Sequence, residues 1–361
     1  MTVLMFLAGL AALVAGAGLL VRGASKLALS FGISPLVVGL TIVAFGTSSP
    51  ELAVSVGAVA SGQTAVAVGN VVGSNIFNVL FILGLSALIT PLAVDLQLIR
   101  QEVPIMIGAS LALLVMSLDG AAGLVDGTLL AGALAAYTVF LIRQSRRQTQ
   151  AAEAAHGRAP APATHAGWDS RLPVQLALVA VGLVLLVLGS DWLVTAAVAV
   201  ARAVGVSDLV IGLTIIAAGT SMPEVATSVT AALRGERDIA VGNVVGSCTF
   251  NILGCAGIAA ITASAAGHGG LPVPEAALNF DLWVMLVVAL ACLPVFLTGR
   301  EIARWEGGLF LGYYGAYVAY LVLAAQHHAA LAPFSGAMLG FVIPLTIVTL
   351  VASLMRRSPG R

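Results

Sequence analysis

Residues 36–85 read LVVGLTIVAFGTSSPELAVSVGAVASGQTAVAVGNVVGSNIFNVLFILGL, and residues 209–258 read LVIGLTIIAAGTSMPEVATSVTAALRGERDIAVGNVVGSCTFNILGCAGI. The two stretches align without a gap at an offset of about 173 residues, and roughly 29 of about 50 positions are identical, far beyond chance for an internal repeat. Each copy sets one glutamate, Glu51 or Glu224, inside an otherwise apolar segment. A carboxylate in such a segment is costly unless positive charge lies beside it. Neither apolar run holds Lys or Arg, so the compensating charge is expected from outside the protein.

Hydrophobic residues make up 60% of the chain and charged residues 9%, where ordinary soluble domains carry roughly 25% charged residues. Uncharged runs recur at Ile105–Leu118, Leu129–Ile142, Leu176–Leu188 and Phe341–Leu354. This pattern fits an all-α polytopic membrane protein; a β-barrel would need period-2 alternation, which solid apolar runs lack. The first cations, Arg22 and Lys26, follow the first apolar run, the reverse of a secretory signal peptide. Cys248, Cys255 and Cys292 all lie in apolar segments and read as buried small hydrophobes.

Eleven spans are expected, near 3–25, 35–61, 65–90, 103–118, 122–143, 173–201, 208–233, 239–265, 281–298, 307–325 and 334–355. With the N-terminus outside, every Lys and Arg except Arg202 falls on the cytoplasmic side, as the positive-inside rule asks. The two copies then begin at spans of opposite direction, so the expected fold is a 5+5 inverted repeat plus an extra C-terminal helix. Such repeats are associated with secondary transporters whose site lies at the midplane between the halves. The expected organisation is a first five-helix repeat over 1–143, a cytoplasmic linker over 144–172, an inverted second repeat over 173–328, and a further helix and basic tail over 329–361.

Each copy holds two motifs. The first is A-x-G-T-S-x-P-E, at Ala44, Gly46, Thr47, Ser48, Pro50 and Glu51, and again at Ala217, Gly219, Thr220, Ser221, Pro223 and Glu224. Proline lacks a backbone N–H and clashes with the carbonyl four residues back, so each helix should break just before it. Carbonyls freed within a membrane need a partner, and a cation in a polar cavity can serve. Carboxylate, carbonyl and hydroxyl oxygens together suit a hard cation such as Ca²⁺. The second motif, G-N-V-V-G-S-x-x-F-N, sets Ser74 and Asn78, and Ser247 and Asn251, on one helical face. Its glycines, Gly69 and Gly73, Gly242 and Gly246, permit close helix approach; a bland reading makes these serines and asparagines polar glue on a packing face.

On these doubled motifs the chain resembles the sodium/calcium exchanger family of the calcium/cation antiporter superfamily, particularly its prokaryotic members, from the first span through the tenth. The resemblance implies that Ca²⁺ is held by Glu51 and Glu224 with the backbone carbonyls of Thr47 and Thr220. It implies Na⁺ sites at the Ala44 carbonyl, Ser48 and Ser74, and at the Ala217 carbonyl, Ser221 and Ser247, with Asn78 and Asn251 lining the middle. The first and sixth spans would be sliding helices that gate the two access routes. Asn251 stands where some relatives, the potassium-dependent ones among them, carry Asp, leaving two carboxylates and weakening a potassium requirement. The S-N-I-F of Ser74–Phe77 becomes S-C-T-F at Ser247–Phe250, with Cys248 and Thr249 expected to pack against neighbouring helices.

Two carboxylates suggest how exchange is enforced. A site charged −2 is neutralised by one Ca²⁺ or by two or more Na⁺, and only a neutralised site crosses low dielectric cheaply. The expected activity is Ca²⁺/Na⁺ antiport by a monomeric transport unit in the cell (inner) membrane. The transported ions and the bilayer are the expected partners, with no cofactor and no nucleic acid. Alternatives are a Ca²⁺/H⁺ antiporter using the same glutamates or a potassium-dependent exchanger; a passive channel would need a continuous pore. No nucleophile–base pair, zinc motif or nucleotide loop points to an enzyme. Outside the repeats, Asp191 reads as structural or on an entry path. All five histidines fall in loops, Tyr313, Tyr317 and Tyr320 read as packing, and Glu301 and Glu306 as solvated pairs beside Arg300 and Arg304.

Overall fold

The computed structural model describes residues 2–155, 169, 171–203 and 217–356. Helices follow the apolar runs: α1 (Thr2–Phe31), α2 in two halves (Pro35–Thr47 and Ser49–Ala60), α3 (Thr64–Ile89), α4 (Leu98–Met116) and α5 (Leu124–Ala155). Then come α6 (Leu172–Ala203), α7 (described over Ala217–Gly219 and Met222–Leu233), α8 (Arg237–Ala265), α9 (Ala277–Leu297), α10 (Arg304–Ala325) and α11 (Leu331–Ala352). Among the described residues nine helices are long and apolar enough to cross a membrane, ten with the bent pair in α2. The start of the expected span at 208–233 lies outside the described residues, as do His156, His165 and most of the middle of the linker.

Local chemistry sets the ends. α1 runs past the expected 25 and stops at Gly32, whose φ of 58° allows Ile33 N–H to reach back to the Ala28 carbonyl at 3.0 Å. Ser34 then caps α2 by accepting the Val37 N–H at 3.2 Å, with Pro35 in the first turn. α5 continues to Ala155, twelve residues beyond the expected 143. The stretch QSRRQTQAAEAA contains helix formers and no Gly or Pro, so nothing in it stops the helix.

α1 and α6 pair as antiparallel helices along a glycine seam. A Cβ built on Gly9 would lie 2.8 Å from the Gly189 carbonyl oxygen, one on Gly16 would lie 2.8 Å from that of Gly182, and one on Gly23 would lie 3.0 Å from that of Gln175. The partners fall in number as α1 advances, so the two helices run in opposite directions and the two halves of the chain are inverted. The other halves interlock likewise. α3 packs on α10 through Gly84 and Gly307, and α8 on α5 through Gly257 and Gly127.

Two short antiparallel pairings join loops across the halves, Leu92–Ala93 with Glu301–Ile302 and Ala121–Ala122 with Leu271–Pro272. They place the loop after α3 beside the loop after α9, and the loop after α4 beside the loop after α8. That is the relative sidedness an alternating eleven-span chain requires. α8 lies deepest, with every residue from Ile239 to Ala256 buried, while α11 packs outside and reaches the bundle through the Thr346 hydroxyl, which accepts from the Tyr313 phenol at 2.7 Å.

Candidate ion site

Both predicted breaks are present. Ser48 and Ser221 each adopt φ −87° and ψ 7°, with proline in the first turn of the helix that follows, and the two halves of α2 meet at 41°. Proline removes the donor that the carbonyl four residues earlier would have used. In α7 the Gly219 carbonyl takes the Ser190 hydroxyl of α6 instead, at 2.6 Å. In α2 the corresponding partner position in α1 is Ala17, which offers no hydroxyl.

Beyond each break the glutamate turns inward, and the bonds that hold it cross between the halves. Ser48 Oγ donates to Glu224 Oε1 at 2.7 Å, and Ser221 Oγ donates to Glu51 Oε1 at 2.8 Å. Ser247 Oγ donates to Glu224 Oε1 at 3.4 Å. Both glutamates are 0% exposed, neither forms a salt bridge among the described residues, and the second oxygen of each, Oε2, has no hydrogen-bond partner there. Unpaired carboxylate oxygens in a buried, cation-free setting are what a bound cation would satisfy.

The remaining predicted residues surround this pair. Thr47 is buried, its hydroxyl set between the Val43 carbonyl and Asn243 Oδ1, both at 3.1 Å. Thr220 donates to Asn70 Oδ1 at 3.3 Å. The Ala44 carbonyl accepts the Ser48 N–H at 3.0 Å and faces the Thr47 hydroxyl at 3.4 Å. Ala217 opens the described part of α7 at the equivalent place. Ser74 Oγ donates to the Asn70 carbonyl at 2.6 Å and accepts from Asn251 Nδ2 at 3.1 Å.

The two central asparagines are not equivalent. Asn251 is committed to Ser74 through its amide and accepts from Cys255 Sγ at 3.6 Å, whereas both polar atoms of Asn78 are buried without a hydrogen-bond partner among the described residues. Directly after each, the helix widens into a π turn, Asn78–Leu83 and Asn251–Ala256, a feature frequent at functional sites. Among the described residues no three or more His, Cys, Asp and Glu side chains cluster. An ion here would therefore meet two carboxylates supplemented by hydroxyl, amide and carbonyl oxygens, a donor set that fits hard cations.

Some expectations need correcting. Tyr317 does more than pack: its phenol donates to Asp281 Oδ1 at 2.9 Å, and in the first half the Tyr137 phenol donates to buried Glu102. The two carboxylate–tyrosine ties are related by an offset of about 180, grown from about 173 by a longer loop after α8. Glu306 is buried, not solvated; its carboxylate accepts the Ala303 N–H at 2.8 Å and caps α10. Asp191 is exposed and apart from the glutamates. Cys248 and Thr249 pack as expected, both buried. Gly242 and Gly246 do allow close approach, to Leu36 and Leu40 of α2; the equivalent partners of Gly69 and Gly73 would fall within 209–213, outside the described residues.

The residues that sequence reasoning passed over are Asn70, Asn243, Ser55, Ser228 and Ser190. The first four had a visible signal, since each serine stands four residues after its glutamate and each asparagine recurs in both copies of the second motif. Ser190 had none, because the repeat puts alanine opposite it.

Known proteins resemble this chain in sequence and fold. The family model described as sodium/calcium exchanger protein matches residues 1–143 and 174–323. CaxA of Alkalimonas amylolytica is 36% identical over 68% of this chain and 76% of its own length. The sodium/calcium exchanger MaX1 of Methanosarcina acetivorans is 31% identical over 88% of this chain and 97% of its own. Among solved structures, the sodium-calcium exchanger NCX_Mj soaked with zero Na⁺ and Ca²⁺ superposes with a TM-score of 0.74 at 30% identity, covering 89% of this chain and 98% of that one. With the matched regions spanning both inverted halves and both broken helices, the chain belongs to the sodium/calcium exchanger family.

Proposed function

We propose that this antiporter exchanges Ca²⁺ for Na⁺ at the paired glutamates. The observation that carries the reading is the crossed pair of bonds, Ser48 to Glu224 and Ser221 to Glu51, with a buried unpaired oxygen left on each carboxylate. In this reading Ca²⁺ lies between Glu51 and Glu224 with the carbonyls of Thr47 and Thr220. Na⁺ occupies one position by the Ala44 carbonyl, Ser48 and Ser74, and another by the Ala217 carbonyl, Ser221 and Ser247. Asn78, whose two polar atoms have no hydrogen-bond partner among the described residues, lines the centre opposite Asn251. Because each glutamate is held by a serine from the other half, relative motion of the halves reshapes the whole site at once.

The coupling follows from charge. One Ca²⁺ or two Na⁺ neutralise two carboxylates, and a net-charged site resists enclosure in low dielectric. Each ion selects the enclosed conformations by its differential affinity, and no direct contact between the substrates is needed. The hydroxyl-rich surround of each glutamate favours Na⁺ over H⁺ as the counter-ion, since protons need no coordination shell. We place the N-terminus outside and the linker and C-terminus in the cytoplasm, with the chain acting as a monomer in the cell membrane. Residues 1–143 and 173–328 form the repeats, and the 329–361 segment is an addition.

The test is flux in proteoliposomes with each gradient imposed alone. Ca²⁺ uptake should follow an outward Na⁺ gradient at clamped pH and should not follow a pH gradient in the absence of Na⁺. Uptake driven by pH alone would replace the reading with Ca²⁺/H⁺ exchange.

A further inference from the structure

We infer that Asn70 and Asn243 are positioning residues that strap each broken helix to the opposite half and thereby aim the carbonyls of Thr220 and Thr47. The inference rests on the ion site proposed above. Asn70, on α3, donates from Nδ2 to the Glu51 carbonyl and to Ser55 Oγ, both at 2.9 Å, and accepts the Thr220 hydroxyl on Oδ1 at 3.3 Å. Asn243, on α8, donates from Nδ2 to Ser228 Oγ at 2.9 Å and accepts the Thr47 hydroxyl on Oδ1 at 3.1 Å. Each asparagine thus ties the helix of its own half's glutamate to the break of the other half.

The amide orientation of Asn70 is fixed by chemistry, since the Glu51 carbonyl can only accept and must face Nδ2. Oδ1 then faces Thr220, and the pseudo-twofold relation gives Asn243 the same sense toward Thr47. The strap matters because of where the threonines stand. Each is the residue before the break, and the proline after it has removed the regular ladder bond that would hold the local backbone. A side-chain anchor on that residue replaces the missing restraint, and an ion ligand must be held to within about 0.5 Å of its productive geometry. Ser55 and Ser228, one turn beyond the glutamates, orient the asparagines in turn.

The experiment uses purified full-length protein in proteoliposomes, with Ca²⁺ flux per folded molecule. Asn70→Ala and Asn243→Ala should each raise the apparent KM for Ca²⁺ by about three- to tenfold, the effect of freeing the threonine of the opposite break from its one anchoring bond, while the maximal rate changes by less than about twofold. The two shifts should match within about twofold. In a double-mutant cycle, Asn70→Ala with Thr220→Val should be no worse than Asn70→Ala alone, because that change already removes the bond to Thr220. Additive shifts, or a wild-type KM in folded Asn70→Ala and Asn243→Ala, overturn the inference. Where an alanine variant does not fold, Thr47→Ser and Thr47→Val decide: valine, which has no hydroxyl for Asn243, should raise the KM by about threefold or more over serine, and equal behaviour of the two is refutation. Glu51→Gln separates the levels. If it leaves Ca²⁺ binding intact the ion site itself is misassigned, whereas its loss alongside additive cycles refutes the straps alone.

Discussion

Replacing Glu51 by glutamine is the sharpest test of the site. The substitution keeps shape and leaves Oε1 in place, so the Ser221 hydroxyl at 2.8 Å still has an acceptor and the crossed bond between the halves survives. What changes is the charge, from −2 to −1, at a position 0% exposed and without a cationic neighbour among the described residues. At an effective dielectric near 20, one unit charge about 4 Å from a divalent ion contributes roughly 8 kcal/mol of attraction. Much of that is offset because glutamine escapes the several kcal/mol it costs to bury a carboxylate. A net loss of about 3–5 kcal/mol remains, which lowers Ca²⁺ affinity by roughly a hundredfold to several-thousandfold. Calorimetric titration of Ca²⁺ into purified variant and tracer uptake under a Na⁺ gradient measure the two consequences. Ca²⁺ binding should weaken by that factor and exchange should cease. A single Na⁺ still neutralises the altered site, so Na⁺/Na⁺ self-exchange should persist. Wild-type Ca²⁺ flux in Glu51→Gln, with folding verified by size exclusion, would refute the charge argument outright.

Further outcomes follow from other contacts. Gly16→Val should slow exchange by about tenfold or more while leaving equilibrium Ca²⁺ affinity within about twofold, because its side chain meets the Gly182 backbone, which cannot give way, at the α1–α6 seam; flux compared with calorimetry tests this. Ser190→Ala leaves the Gly219 carbonyl without its 2.6 Å donor and should cost the conformation with α6 docked about 1–3 kcal/mol. Hydrogen exchange of α6 should rise, and unchanged protection would count against the contact. Tyr317→Phe should lower thermal stability in detergent without altering the KM for Ca²⁺, the partly buried bond to the Asp281 carboxylate contributing about 1–2 kcal/mol. Asn251→Asp should make Ca²⁺ uptake depend on an added monovalent cation, since three carboxylates need one more charge for neutrality; uptake indifferent to K⁺ would contradict that.

What the sequence made legible was the chemistry that repeats at one fixed offset. Pro50 and Pro223 dictated the breaks, and an unaccompanied glutamate after each marked the site, because both effects act within a few residues of their cause. Contacts between halves were harder to read, for a geometric reason. Crossed bonds such as Ser48 to Glu224 depend on how two inverted repeats interlock, and no local pattern encodes that. The carboxylate–tyrosine ties escaped for a second reason. Beyond α8 the offset grows from about 173 to about 180, so Glu102 and Asp281, or Tyr137 and Tyr317, no longer fall opposite one another in a fixed-offset comparison. Glu306 was misread because a charged residue beside arginines in a loop looks solvated, while its capping bond to Ala303 carries it into the interior.

The symmetry is incomplete, and its departures have a direction. α6 touches both breaks, with Leu183 against Gly46, and Val194 and Ser190 against Gly219. α1 is held elsewhere, by Arg234, whose Nη1 donates to the Gly18 carbonyl at 2.7 Å. The residues related to Arg234 and Gly18 by the repeat are Ser61 and Asp191, which cannot form the same bond. A perfectly symmetric transporter would have equal energies for its two mirror conformations. Here the α1–α6 pair is tied to α7 by a serine to a freed carbonyl and by an arginine to a helix backbone, and the mirrored positions make neither tie: Ala17 has no hydroxyl, and the Ser61 hydroxyl donates to the Gly57 carbonyl of its own helix. Under the proposed exchange cycle these one-sided ties would bias the two access states unequally, a bias that arises from residues outside the ion site.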